Sequence, residues 1–192
     1  MAGLQNGPKY PPLTAPGGKM VEDVKFHALR ICVMTISDTR TDETDTSGHI
    51  LVERVRDSGH EVADKAIVPD EVNAIRTVMR RWIADPQVDA VVTTGGTGVT
   101  GRDVTPEAVR PLFDKEIDGF NVIWHLVSYQ SVGTSTLQSR ACAGVANATF
   151  IFCLPGSNGA VKDGWDKIIR WQLDSRHMPC NMVELMPRLM ES

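Results

Sequence analysis

Two aspartates and a glycine-dense loop are the residues of this chain best suited to chemistry. Asp70 stands in VPDE and Asp103 in RDVTPE, each just past an apolar run and just before a helical pattern. Between them lies Thr94-Gly95-Gly96-Thr97-Gly98. The N–H groups of a flexible glycine run can cradle an anion. Paired carboxylates suit Mg²⁺, a hard cation that usually takes one or two carboxylates plus substrate phosphates. Together they point to phosphoryl or nucleotidyl transfer. Ser37-Asp38 and Pro155-Gly156-Ser157 follow two other apolar runs. Taken singly, such residues are turn and cap formers: Asp70 would cap the next helix and Asp103 would close a turn. Four such junctions in one chain favour a site.

Other motifs carry less. Gly96-Thr97-Gly98-Val99-Thr100-Gly101 has the G-x-G-x-x-G form of a dinucleotide fingerprint. That motif must open a helix directly, whereas Arg102, Asp103 and Val104 intervene before Thr105, the expected cap. A Walker loop is excluded because no Gly-Lys-Ser/Thr follows. Ser139-Arg140 could bring a guanidinium to a phosphate, although an exposed helical arginine is the simpler meaning. Arg76, Arg80 and Arg81 lie off the apolar stripe and read as a solvated face. The run Asp38, Asp42, Glu43, Asp45 reads as a solvated acidic loop.

The elements that must position these residues alternate along the chain. LRICVMTI, from Leu29, is a near-continuous β-branched run expected as a strand covered on both faces. HILVERVRDSG is a short helix closed by Gly59, and VADKAIV a second strand ending at Pro69. Ile75, Val78, Met79, Trp82 and Ile83 form one helical stripe, giving a helix from Asn73 to Ala84. VDAVVTT and TFIFCLPG are further buried strands, and Ser157 caps a helix running to about Leu173. Residues 122–146 read as mostly helical, split at Gly133, and MPCNMVELMPRL is left without an element. Strands alternating with helices imply an α/β fold around a parallel sheet, in which ligands bind beyond the carboxyl ends of the strands.

Composition bounds the alternatives. The 192 residues amount to about one domain. The net charge of −4 argues against a nucleic-acid-coating surface. No apolar run approaches the roughly 20 residues of a membrane span, and MAGLQNGPKYPPL lacks an apolar leader core, so a cytoplasmic location is expected. Cys32, Cys142, Cys153 and Cys180 show no C-x-x-C pair, and the five histidines no zinc spacing. The first 18 residues hold eight Gly or Pro and one charge, so residues 1–27 are expected as a flexible extension before a single domain of 28–192.

In order, TISD, DTSG, VTTGGTG, RDVTPEA, GTSTLQSRA, GVAN and LPGS resemble the MoaB/MogA family of molybdenum cofactor biosynthesis, over about Leu29 to Leu189. GTSTLQSRACAGVAN points to the MoaB branch. The resemblance implies a three-layer α/β/α sandwich around a mostly parallel sheet. It also implies molybdopterin adenylyltransferase activity, in which Mg-ATP and molybdopterin give adenylyl-molybdopterin and pyrophosphate. Asp70 and Asp103 match the catalytic and metal-serving aspartates. Thr94, Gly95, Gly96, Thr97 and Gly98 match the phosphate loop, while Ser37, Asp38, Ser139, Pro155, Gly156 and Ser157 match segments lining the pocket. A homo-oligomer is implied, a hexamer as in the MoaB branch, with a MogA-type trimer as the alternative. The alternative function is a pterin-binding protein without catalysis.

Overall fold

The structure is a computed structural model that describes residues 17–191. In chain order its strands and helices are β1 (Lys19–Met20), β2 (Arg30–Ile36), α1 (Thr46–Asp57), β3 (Glu61–Val68), α2 (Val72–Ile83), β4 (Ala90–Thr94), α3 (Thr105–Val109), β5 (Lys115–Glu116), α4 (Asp118–Val132), β6 (Cys142–Ala146), β7 (Thr149–Leu154), α5 (Asn158–Gly164), α6 (Arg170–Gln172) and β8 (His177–Met178). A π-helical turn, Trp165–Ile169, joins α5 to α6.

Six strands form the central sheet in the order β3-β2-β4-β7-β6-β5. The first four run parallel; β6 pairs antiparallel with both β7 and β5. Every position of β4 and β7 is buried, as expected for strands covered on both faces. One face packs Ile31, Val33, Val92 and Phe152 against Leu51, Trp124 and Trp165 of α1, α4 and the α5 region. The other packs Met34, Val91 and Ile151 against Ile75, Met79 and Trp82 of α2. The result is the expected three-layer α/β/α arrangement. Each fully buried residue of that α2 stripe contributes about 1.5–3 kcal/mol.

Residues 142–146 are not helical. ACAGVA reads as helix because alanine is the best helix former, yet it forms β6, which turns back into β7 through Asn147 and Ala148 at φ 46° and 65°. Positive φ at both positions of a two-residue loop is the hairpin geometry that matches strand twist. Gly144 must lack a side chain because Phe113 lies across the strand: a Cβ there would stand 2.3 Å from the Phe113 ring. Helix α1 begins at Thr46, earlier than expected, because Asp45 caps it through Gly48 N (2.9 Å). Asp45 is fully buried, so the acidic loop is not a uniformly solvated surface.

Cys32, Cys142 and Cys153 are buried and Cys180 is exposed; all four are free. Within the expected extension, residues 1–16 lie outside the described residues. Beyond them β1 pairs with β8, Val21 N donates to Arg176 O (2.9 Å), and His27 N donates to Ser175 Oγ (3.0 Å). Residues 19–27 are thus laid along the C-terminal segment rather than standing apart from residue 28 onward. No helix among the described residues is long and apolar enough to cross a membrane.

Candidate functional site

From β2 the chain crosses α1 to β3 on one side of β2, then crosses α2 to β4 on its other side. The crevice between the carboxyl ends of β2 and β4 is therefore the switch point of the sheet, where ligands bind in such folds. The two loops leaving it touch. Gly95 and Gly96 have φ of 105° and 64°. A Cβ on Gly95 would stand 2.2 Å from the Ile36 carbonyl oxygen. One on Gly96 would stand 2.4 Å from Thr105 Oγ1 and 3.1 Å from Asp70 Oδ1. Glycine is needed at both by backbone angle and by space.

The loop's carbonyls are tied down. Gly95 O accepts from Thr105 Oγ1 (2.9 Å), Gly96 O from Thr105 N (3.0 Å), Thr97 O from Arg140 N (2.7 Å) and Gly98 O from Arg140 Nε (2.6 Å). Thr105 is thus the first residue of α3 and a loop tie, not the expected cap; Val104 holds the cap position. Arg140 is no exposed helical arginine either. It also donates to Asp103 O (2.7 Å) and pairs with Glu107. Arg76 donates to the carbonyls of Ala108 and Glu107, joining α2 to α3 instead of facing water. With its carbonyls engaged, the loop leaves the N–H groups of Gly96 and Thr97 without an acceptor among the described residues. Thr97 Oγ1 is buried and also unpartnered. An orphaned hydroxyl beside free amides is the donor set an anion satisfies.

On one side of this loop lies an acidic edge. Asp38 N donates to Asp70 Oδ2 (3.0 Å) and Asp70 N donates to Asp38 Oδ1 (3.1 Å), so the loops after β2 and β3 brace each other. Arg102 grips both oxygens of Asp38 at 2.6–2.7 Å. The hydrogen bond from Arg102, and after it that from the Asp70 amide, holds the Asp38 carboxyl below the usual range. Asp70 is shifted the other way: burial pushes its carboxyl up, and the negative charges of Asp38 and Asp103 add to this, against a partial offset from the Asp38 amide and the Arg102 charge. Glu71 occupies the N-cap of α2 without a side-chain bond, so Asp70 does not cap that helix. Asp103 does close a turn, accepting from Thr100 N (2.9 Å) and Thr100 Oγ1 (2.6 Å). Burial raises the Asp103 carboxyl, but these Thr100 bonds outweigh it and lower it on balance. No group of three or more His, Cys, Asp or Glu gathers as a metal cage among the described residues. Asp70, with Oδ1 undonated and its charge resisted by burial, fits a hard cation that draws its other ligands from phosphate.

On the other side of the loop lies a cavity of about 250 Å³. Thr97, Gly98, Ser139, Pro155 and Ser157 line it. Ser37 and Asp38 do not line this cavity. Ser37 Oγ accepts from Thr39 N and Arg40 N in its own turn, and Asp38 belongs to the acidic edge. Thr94 is buried and donates to Pro155 O (3.2 Å), and Gly156 packs on the Gly95 backbone; both hold loops together. Ser157 Oγ caps α5 through Ala160 N (3.1 Å). Much of the lining comes from helices that strand-end reasoning did not reach: Trp124, Ser128 and Ser131 of α4, and Asp163 of α5. The signal was present as a W-x₃-S-x₂-S spacing, one face of a helix.

Comparison with known proteins gives the same neighbourhood. Residues 32–175 match the family model MoCF_biosynth, described as "Probable molybdopterin binding domain". The chain is 50% identical over 157 residues to Molybdenum cofactor biosynthesis protein B of Escherichia coli K12, covering 82% of this chain and 92% of that protein. It is 46% identical over 142 residues to the protein of the same name in Bacillus subtilis, covering 73% and 84%. A crystal structure of Molybdenum cofactor biosynthesis protein B superposes with a TM-score of 0.74 at 42% identity, over 77% of this chain and 92% of that one. The tungsten cofactor synthesizing protein MoaB of Pyrococcus furiosus superposes at 0.66 with 37% identity, over 73% and 90%.

Proposed function

This chain belongs to the MoCF_biosynth family, and from that premise we propose that it acts in molybdenum cofactor biosynthesis by adenylylating molybdopterin. A phosphate oxygen of molybdopterin attacks the α-phosphorus of ATP. The new P–O bond forms as the bond from that phosphorus to the β-phosphate bridge breaks, and pyrophosphate leaves. The attacking phosphate is already ionised, so no general base is required; the protein supplies position and charge.

The observation that carries this reading is the place of the glycine loop. It lies between a cavity able to take an organic ligand and the carboxylate of Asp70. The free amides of Gly96 and Thr97, with Thr97 Oγ1, would hold the terminal phosphate of the pterin where the two sides meet. Asp70 would hold Mg²⁺, and Asp103 would serve it by keeping the loop closed at Thr100. Bound Mg²⁺ supplies neutralisation of the triphosphate. Arg102, if released from Asp38, would add positive charge at this edge.

A second reading, a pterin carrier without turnover, draws support from Arg102, which occupies both Asp38 oxygens and so removes that carboxylate from service to a cation. Incubation with molybdopterin and Mg-ATP decides between them. Pyrophosphate release that Asp70→Asn abolishes supports the enzyme; pterin binding with no pyrophosphate above the Asp70→Asn background selects the carrier. We also propose a homo-oligomer, a hexamer or else a trimer, assembled through α4, whose outer face exposes Val122, Leu126 and Tyr129 in a row. Leu126→Asp is expected to yield a smaller species by light scattering, and an unchanged mass would remove α4 from the interface.

A further inference from the structure

The cavity beside the glycine loop is lined almost wholly by neutral groups: serines, threonines, glycines, small apolar residues and one tryptophan. Its one charged lining residue is Asp163. Asp163 Oδ2 accepts from Ser131 Oγ (2.6 Å), and Oδ1 accepts from Lys167 Nζ (2.7 Å). Lys167 lines the separate apolar cleft on the far side of α4. Ser131 and Lys167 therefore hold the carboxylate in place at the cavity wall, and each oxygen, with two acceptor sites, retains a second acceptor site.

The two ends of the cavity differ in chemistry. At one end Trp124 Nε1 donates to Ser139 Oγ (2.9 Å), next to the Arg140 that holds Thr97 and Gly98. The buried, unpartnered hydroxyl of Thr97 belongs to this end. Ser131, which anchors Asp163, stands seven residues farther along α4, about 10 Å along the helix axis. One end thus offers donors to an anion and the other a fixed carboxylate. A carboxylate of this kind selects a planar pair of N–H groups, as it does in bidentate pairing with a guanidinium. The 2-amino-4-oxo pyrimidine edge of a pterin carries such a pair, N2–H and N3–H.

We propose that Asp163 reads the 2-amino-4-oxo edge of the pterin, so that the ligand lies with its phosphate toward Thr97 and its pyrimidinone toward Ser131. This assignment rests on the reading that the cavity takes a pterin. It makes the cavity selective against 2,4-dioxo analogues, whose O2 would face the carboxylate with no proton between them. A site built to pair a donor loses heavily when that donor is absent.

The test is fluorescence titration of the full chain with 6-(phosphooxymethyl)pterin and with its lumazine counterpart, which differ only in 2-amino against 2-oxo. The wild type is expected to favour the pterin at least about tenfold. Asp163→Asn should weaken pterin binding by a similar factor and reduce or reverse the preference, because the new amide donates to O2. Ser131→Ala removes the tie to α4 but keeps the carboxylate, so its preference for the pterin should persist even where both affinities fall. Equal binding of the two ligands by the wild type overturns the proposal. So does an undiminished preference in Asp163→Asn, or a preference lost equally in Ser131→Ala. Binding of neither ligand by the wild type overturns the pterin reading itself, an outcome distinct from the others.

Discussion

Asp45 is fully buried and Asp70 half-buried, both near carboxyl ends of neighbouring strands, and they could hardly be treated more differently. Asp45 is fully buried and fully met: Thr35 Oγ1 donates at 2.8 Å, Gly48 N at 2.9 Å and Lys65 Nζ at 3.2 Å. Even the space is committed, since a Cβ on Gly48 would stand 2.1 Å from Asp45 Oδ2. Asp70 receives one amide, from Asp38, while the nearby Arg102 is spent on Asp38 itself. Burial with partners makes a carboxylate part of the framework. Partial burial that its polar neighbours do not fully offset raises its pKa and leaves it suited to a cation.

The difference can be broken or sharpened by experiment. The largest expected effect is on turnover: Asp70→Asn should lower adenylyl transfer by about 10²–10³-fold. Its melting temperature should hold or rise slightly. The sign follows from the raised pKa: the folded state binds the Asp70 proton more tightly than the unfolded chain, so ionisation costs stability as pH rises through that value. A neutral isostere removes this cost. Asp45→Asn should do the reverse, losing about 1–3 kcal/mol in urea denaturation, because a buried carboxylate that accepts from Thr35 and Gly48 is replaced by an amide with only one acceptor oxygen, while Lys65 keeps Asp42. A stable Asp45→Asn with an unfolded Asp70→Asn would erase the contrast. The smallest effect concerns pH. Divalent-cation affinity should fall on acidification at a higher pH than an exposed aspartate would give, and Asp70→Asn should flatten the profile. Mg²⁺ titration calorimetry across the acid range measures it.

Much of this was legible in the residues. The Ile75–Met79–Trp82 stripe and the buried runs placed three layers, and the rule about strand ends led to Gly95–Gly98, Asp70 and Asp103. What escaped depends on partners distant in sequence. Asp45 looks like its acidic neighbours until Lys65, 20 residues on, is folded over it. ACAGVA looks helical until Phe113 is seen to lie over Gly144. Trp124, Ser128 and Ser131 share a helical face, but only the packing of α4 beside α5 turns that face to a cavity. Arg140 resembles any charged residue after a helix until its three bonds to loop backbone are seen.

That last residue has a wider consequence. Residues 98 and 140 are separated by α3, β5 and α4, yet one side chain and its own amide close the interval onto the glycine loop. The loop therefore has no private flexibility. Its Gly95 amide, bonded to Leu154 O, would exchange with solvent deuterium at the pace of the sheet, whereas the acceptor-less amides of Gly96 and Thr97 would exchange fast until a ligand engages them. A ligand that grips the loop would slow exchange along that edge of the sheet as well.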